Sequence, residues 1–233
     1  GCTQLAGSPA HSPVVTTDTG RLRGARVDGV LTFRGIPYAA APTGEWRWRP
    51  PQPAVAWTGV RPALEYGPAC AQPQAAAPPE MQRFEEDCLT LNVATPDTQP
   101  AEPMPVMVWL HGGGFSQGSG NLSQLNGTAI PQQGVVVVTI NYRLAMFGFL
   151  AHPALAKAGE PVGNYGLLDA VAALQWVQRN IAAFGGDPRR VTIFGESAGA
   201  DAVNYLMVMP AARGLFQQAI SQSSSVGMAP APR

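Results

Sequence analysis

The stretch VTIFGESAGADAV, residues 191–203, runs apolar residues into Gly195-Glu196-Ser197-Ala198-Gly199. A G-x-S-x-G sequence between a strand and a helix is a tight, strained turn that lifts a serine hydroxyl out as a nucleophile. Ser197 then stands at a helix N-terminus, where free amides and the positive dipole end favour developing negative charge. The bland alternative is a Gly-Ser-Gly turn that merely joins strand to helix. It leaves a second cluster unexplained: His111-Gly112-Gly113-Gly114-Phe115, which also follows an apolar strand. Backbone N–H groups of an H-G-G-G loop, with that of the residue after the serine, make an oxyanion hole. Together the two clusters point to acyl transfer.

A serine nucleophile needs a general base. The chain has three histidines, His11, His111 and His152. His111 belongs to the glycine loop and reads as its support. His152, in FLAHPAL, reads as a structural histidine, and His11 lies in an aperiodic leader. None is a credible base. Thirty-six residues follow Ser197, and Asp201 is their one carboxylate. It lies four residues past the serine on the same helix, the wrong place for an acid that orients a distant histidine.

The elements that must position these residues follow from patterning. LTLNVAT, PVMVWLHGGG, GVVVVTINYR, RVTIFG and QQAISQS read as strands. NYGLLDAVAALQWVQRNIAAFGG reads as a helix with Leu167, Leu168, Val171, Leu174, Val177 and Ile181 on one face, stopped by Gly185-Gly186. SAGADAVNYLMVM is a second helix, ended by Pro210. Continuous apolar strands alternating with helices predict an α/β fold with a mostly parallel central sheet and helices on both faces. Residues 14–34 predict antiparallel hairpin strands. Residues 37–80 are too proline-rich for regular helix or a central strand. Trp46, Trp48 and Trp57 there call for an ordered excursion. Residues 1–13 predict a flexible leader, 14–223 one α/β domain and 224–233 an atypical tail.

Composition sets outer limits. Of 233 residues, 45% are hydrophobic and 13% charged, with a formal net charge of zero, which fits a globular chain with a core. No block of like charge suggests a nucleic-acid partner. No apolar run approaches the ~20 residues of a membrane span. The chain begins at Gly1 rather than Met, which reads as processing or clipping. Of the three cysteines, Cys70 and Cys88 are the plausible pair, worth about 3 kcal/mol if bridged. Spacing alone leaves two free thiols equally open. Cys2, directly after Gly1, fits either a lipid-anchored cysteine or an incidental thiol. NLS at Asn121 and NGT at Asn126 are sequons.

Six stretches carry a resemblance to the type-B carboxylesterase/lipase family, the α/β-hydrolases that include the cholinesterases. They are FRGIPYA, EDCLTLNV, VWLHGGGF, VVVVTINYRLAMFGFL, the long run from NYGLLD to GESAGA, and FQQAISQS. The resemblance implies an α/β-hydrolase fold and hydrolysis of small-molecule esters without metal or cofactor. It implies that Ser197 is the nucleophile and that Gly113, Gly114 and Ala198 are the oxyanion donors. Glu196, Gly112 and Phe115 would line the site. It implies a Cys70–Cys88 disulfide, hence an exported protein (secreted, periplasmic or cell-envelope), and structural ion pairs Arg34–Glu86 and Arg143–Asp169. The family order is serine, acid, histidine, so the chain resembles an N-terminal half only. It should be a weak catalyst alone and should present an unpaired sheet edge. Phe84 is the lone aromatic between the two cysteines, which argues against a cation–π site for choline esters. Two alternatives stand: a non-catalytic binding protein of this fold, which the intact serine disfavours, and a truncated product without function.

Overall fold

Val, Ile and Thr concentrate in two runs, 90–95 and 136–140, and both become wholly buried strands. The computed structural model describes residues 12–73, 83–121, 129–156 and 161–226. The predicted leader, with Cys2 and His11, lies almost entirely outside the described residues, as do Asn126 and positions 227–233 of the tail. In chain order the strands are β1 (Val14–Thr16), β2 (Arg21–Arg23), β3 (Ala25–Val27), β4 (Val30–Pro37), β5 (Val60–Pro62), β6 (Ala69–Cys70), β7 (Phe84–Glu85), β8 (Thr90–Thr95), β9 (Met104–Leu110), β10 (Val136–Ile140), β11 (Gly186–Glu196) and β12 (Gln218–Gln222). The helices are α1 (Ala145–Phe149), α2 (Tyr165–Asn180) and α3 (Ala198–Val208).

The main sheet runs β12-β11-β9-β10-β8-β4-β3. The half that carries the chemistry is parallel: β12 with β11, β11 with β9, and β9 with β10. The other half, β8 against β10, β4 against β8 and β3 against β4, is antiparallel. This is an α/β-hydrolase fold. Its register places Gly195 of β11 opposite Leu110 of β9. The two chemically suggestive segments therefore leave adjacent parallel strands at the same end, the carboxyl end, where open α/β sheets bind ligands.

The predicted face of α2 packs inward, with Leu167, Val171, Leu174 and Val177 buried and Ile181 buried just past its end, while Leu168 is half-buried. Trp176 and Phe33 both contact Phe184, at 5.7 and 5.0 Å between centroids. β12 is one of the two edge strands, and all five of its residues are exposed. Next to it, α3 exposes Tyr205, Met207 and Val208.

The proline-rich excursion is pinned by tryptophan N–H groups rather than by full burial. Trp57 Nε1 donates to Arg21 O at 3.0 Å and Trp48 Nε1 to Met146 O at 2.9 Å. The Trp48 ring stacks on Phe147 at 6.4 Å. Trp46 stays 42% exposed, so it is not one of these anchors.

Cys70 and Cys88 form a disulfide. Arg143 and Asp169 form a bidentate pair, with bonds of 2.8 and 2.7 Å and side chains 3% and 0% exposed. The expected Arg34–Glu86 pair does not form. The backbone N–H of Arg34 donates to Ala63 O, so β4 lies against residues 63–66, and the guanidinium sits 4.6 Å from the Tyr66 ring centroid. Glu86 instead accepts from Arg47 Nε and Nη2 at 2.5 and 2.6 Å. The excursion folds back so that Arg47, Glu86 and the disulfide line one small cavity together. Asn121 is not an accessible sequon: it is fully buried and donates to Gly67 O at 2.8 Å.

Candidate active site

Ser197 adopts φ 54° and ψ −126°, a conformation sparsely populated by any residue with a side chain. The turn fits because its flanks are glycines. A Cβ on Gly195 would lie 2.4 Å from Gly199 C, and one on Gly199 would lie 2.1 Å from Leu110 O. No side chain can occupy either position without moving the backbone of α3 or β9. The Ser197 N–H donates to Gln222 O at 2.9 Å, which ties the elbow to the end of β12.

The second loop comes to the first. A Cβ on Gly112 would lie 2.8 Å from Glu196 O and 3.3 Å from Ser197 Cβ, so main chain packs directly against Ser197. Gly113 and Gly114 have φ 110° and 63°, which suits glycine. Among the described residues, the N–H groups of Gly113 and Gly114 engage no acceptor, and Ala198 N–H opens a helix with no earlier turn to bond. Phe115 holds the far side of the loop: its carbonyl accepts from Ala145 N at 2.7 Å, and its ring contacts Phe149 at 5.0 Å. Glu196 is exposed beside the elbow.

One clamp was not evident from the sequence. Gln72 Nε2 donates to Gly118 O at 2.9 Å while its Oε1 accepts from Gly118 N at 2.8 Å. An amide side chain in the disulfide loop thus pairs with the glycine loop as a strand would. The cue available was position alone, two residues after Cys70. Asn141 adds a second fixture, accepting from Gly120 N at 2.8 Å and donating to Pro68 O at 3.0 Å.

The histidines of the described residues are occupied elsewhere. His111 is buried, its ring stacks on Tyr142 at 4.3 Å, and its Nδ1 lies 2.8 Å from Gly112 O. Burial lowers it to about 4, against which the Gly112 hydrogen bond is a smaller opposing effect. It is therefore neutral near pH 7 and donates from Nδ1 to hold the glycine loop. Tyr142 O–H donates to His111 O at 2.5 Å, fixing the same corner. His152 is exposed, and its Nδ1 accepts from Ala154 N at 3.1 Å. Ser197 Oγ makes no hydrogen bond among the described residues. A cavity of about 670 Å³ lined by Arg34, Leu64, Tyr66 and Thr90 contains none of these groups. The chemistry is located by backbone geometry, not by concavity.

A strand–elbow–helix serine with a glycine loop packed on it, at the carboxyl end of parallel strands, is the arrangement in which an α/β-hydrolase would present a nucleophile. The sequence matches the carboxylesterase family over residues 11–231, and the chain belongs to that family. It is 50% identical to a fumonisin B1 esterase of Sphingopyxis macrogoltabida, across 89% of this chain and 39% of that one. It is 48% identical to a para-nitrobenzyl esterase of Bacillus subtilis, across 91% and 44%. Among solved structures, a PNB esterase superimposes with TM-score 0.83 at 46% identity, covering 91% of this chain and 44% of that one. A carboxylesterase of Geobacillus stearothermophilus gives 0.80 at 50% identity, covering 89% and 42%. The chain thus spans about two-fifths of the length of these relatives.

Proposed function

We propose that this chain carries the nucleophile and oxyanion portion of a serine carboxylesterase acting on small-molecule esters. Ser197 Oγ attacks the ester carbonyl carbon. The resulting oxyanion accepts hydrogen bonds from Gly113, Gly114 and Ala198 N–H. Collapse expels the alcohol and leaves an acyl-serine, and water then releases the acid and restores Ser197. The observation that carries this reading is the contact of Gly112 main chain with Ser197, beside amides that have no other acceptor. Loss of one such donor typically costs about 2.7–4 kcal/mol in the transition state.

The proton of Ser197 still needs a base. His111 is neutral, buried and bonded within its own loop, and His152 caps a distant turn. Neither histidine of the described residues serves Ser197, so these residues alone act as a weak esterase, limited to what an oxyanion hole and binding supply. The disulfide supports an exported, oxidising location.

Labelling with a fluorophosphonate and turnover of p-nitrophenyl acetate test this. Slow labelling of Ser197, lost in Ser197→Ala, is expected. No labelling would overturn the esterase assignment. Ordinary esterase turnover, abolished by Ser197→Ala, would overturn the claim that the base is missing.

A further inference from the structure

Asp201 is a buried carboxylate on the first turn of α3, 8% exposed, and no cation pairs with it among the described residues. A carboxylate removed from water without a partner is costly unless hydrogen bonds replace its hydration. Here they come from one short segment. Asp201 Oδ1 accepts from Ser224 Oγ at 2.6 Å, Ser225 N at 2.7 Å and Val226 N at 3.2 Å, and Oδ2 accepts from Ser225 Oγ at 2.5 Å. Burial on its own would raise this carboxyl; the bonds from Ser224, Ser225 and Val226 outweigh it and hold the group below the usual carboxylate range. Asn204, almost one turn further along α3, donates to Ser221 and Ser224 at 3.1 and 2.8 Å.

The path of the segment gives these bonds a consequence. β12 ends at Gln222, whose carbonyl is bonded to the nucleophile's own amide. Ser223 turns the chain in the left-handed region, at φ 57°. Residues 224–226 then return to Asp201, so 222–226 run along the first turn of α3 beside the elbow. They leave the sheet at the carboxyl end, where a bound ester has to lie. Nothing in the apolar packing holds them: Ser225 and Val226 are exposed and Ser224 is half-buried.

We propose that Asp201 is a positioning residue that fixes residues 223–226 as a wall beside Ser197 and so limits the bulk of the ester groups admitted there. This rests on the esterase reading above. The carboxylate touches no reacting atom. It acts through Ser224, Ser225 and the two backbone amides it binds.

The test compares second-order rates of Ser197 modification by a small and a bulky alkyl phosphonofluoridate. Asp201→Asn weakens the tether from the carboxylate side, and the Ser224→Ala/Ser225→Ala double variant removes its two hydroxyl bonds while leaving those of the backbone amides. The double variant removes one half-buried and one exposed hydroxyl and so keeps the test open if Asp201→Asn does not fold. In both, the bulky-to-small rate ratio should rise about tenfold, the scale of discrimination by a few apolar atoms. Amide exchange at Ser225 and Val226 should quicken in parallel. Unchanged exchange in Asp201→Asn would overturn the tether. Faster exchange with an unchanged ratio would overturn the wall. An unlabelled wild-type chain would overturn the esterase reading, and this inference with it.

Discussion

His111 is expected to make stability depend on pH through a single ring. Its value in the folded chain is about 4, against 6.5 for an ordinary histidine, because the ring is buried against Tyr142 with its Nδ1 committed to Gly112 O. Below pH ~6.5 the unfolded chain takes up a proton that the folded chain refuses, so stability falls as pH falls, and the loss levels off near pH 4. The full contribution is present above pH ~6.5 and amounts to roughly 3 kcal/mol. Between pH 7 and pH 4.5 the loss from this ring should be about 2.5 kcal/mol. Other groups titrate across the same range, so the assay is a comparison. Urea unfolding is measured at both pH values for the wild-type chain and for His111→Gln, which keeps a donor toward Gly112 O but cannot be protonated. The wild-type chain should lose about 2.5 kcal/mol more than the variant. Equal losses would refute the reasoning, and so would an NMR titration placing the ring near 6.5. Either result would mean that His111 meets solvent and would make it a candidate base for Ser197.

Three other outcomes follow from the same geometry. Arg143→Ala should cost about 3–5 kcal/mol by stranding buried Asp169, while Arg47→Ala, whose partner Glu86 is partly exposed, should cost far less; paired urea titrations distinguish the two. Reducing Cys70–Cys88 should lower stability by about 3 kcal/mol and loosen the Gln72 clamp, read as faster amide exchange at Gly118. Gly112→Ala should slow labelling of Ser197 more than it lowers the melting temperature, since the added methyl meets Glu196 O and Ser197 Cβ rather than the core; a rate within twofold of wild type would contradict that placement.

Much of the site was legible because its constraints are local. A glycine is required where a methyl would meet backbone at 2.1 or 2.4 Å, and that requirement is written in the sequence as Gly195 and Gly199. Alternation of apolar runs with a helical face marked the parallel half of the sheet for the same reason. Longer-range partners were not legible. Arg34 and Arg47 are both arginines near the start of the excursion, and only the fold-back decides which one meets Glu86. Gln72 had no cue beyond its place after Cys70, because a side-chain amide that imitates a strand partner leaves no periodicity.

The open edge follows from the same division. QQAISQS reads as a strand, and as β12 it pairs among the described residues only with β11; Ile220 is 43% exposed and Val208 on α3 79% exposed. The backbone of β12 lies next to Ser197, whose amide it receives through Gln222. Edge pairing and the candidate site therefore share one strand, linked through the bond from Ser197 N–H to Gln222 O. A chain that self-associates through this edge should show Ser197 labelling that falls as protein concentration rises. Ile220→Lys, which places a charge on the exposed face of the edge strand, should keep the protein dispersed and remove the concentration dependence, as sedimentation and labelling measured on the same samples would show. Labelling independent of concentration in a chain that sediments as an aggregate would mean that the edge and the elbow are uncoupled.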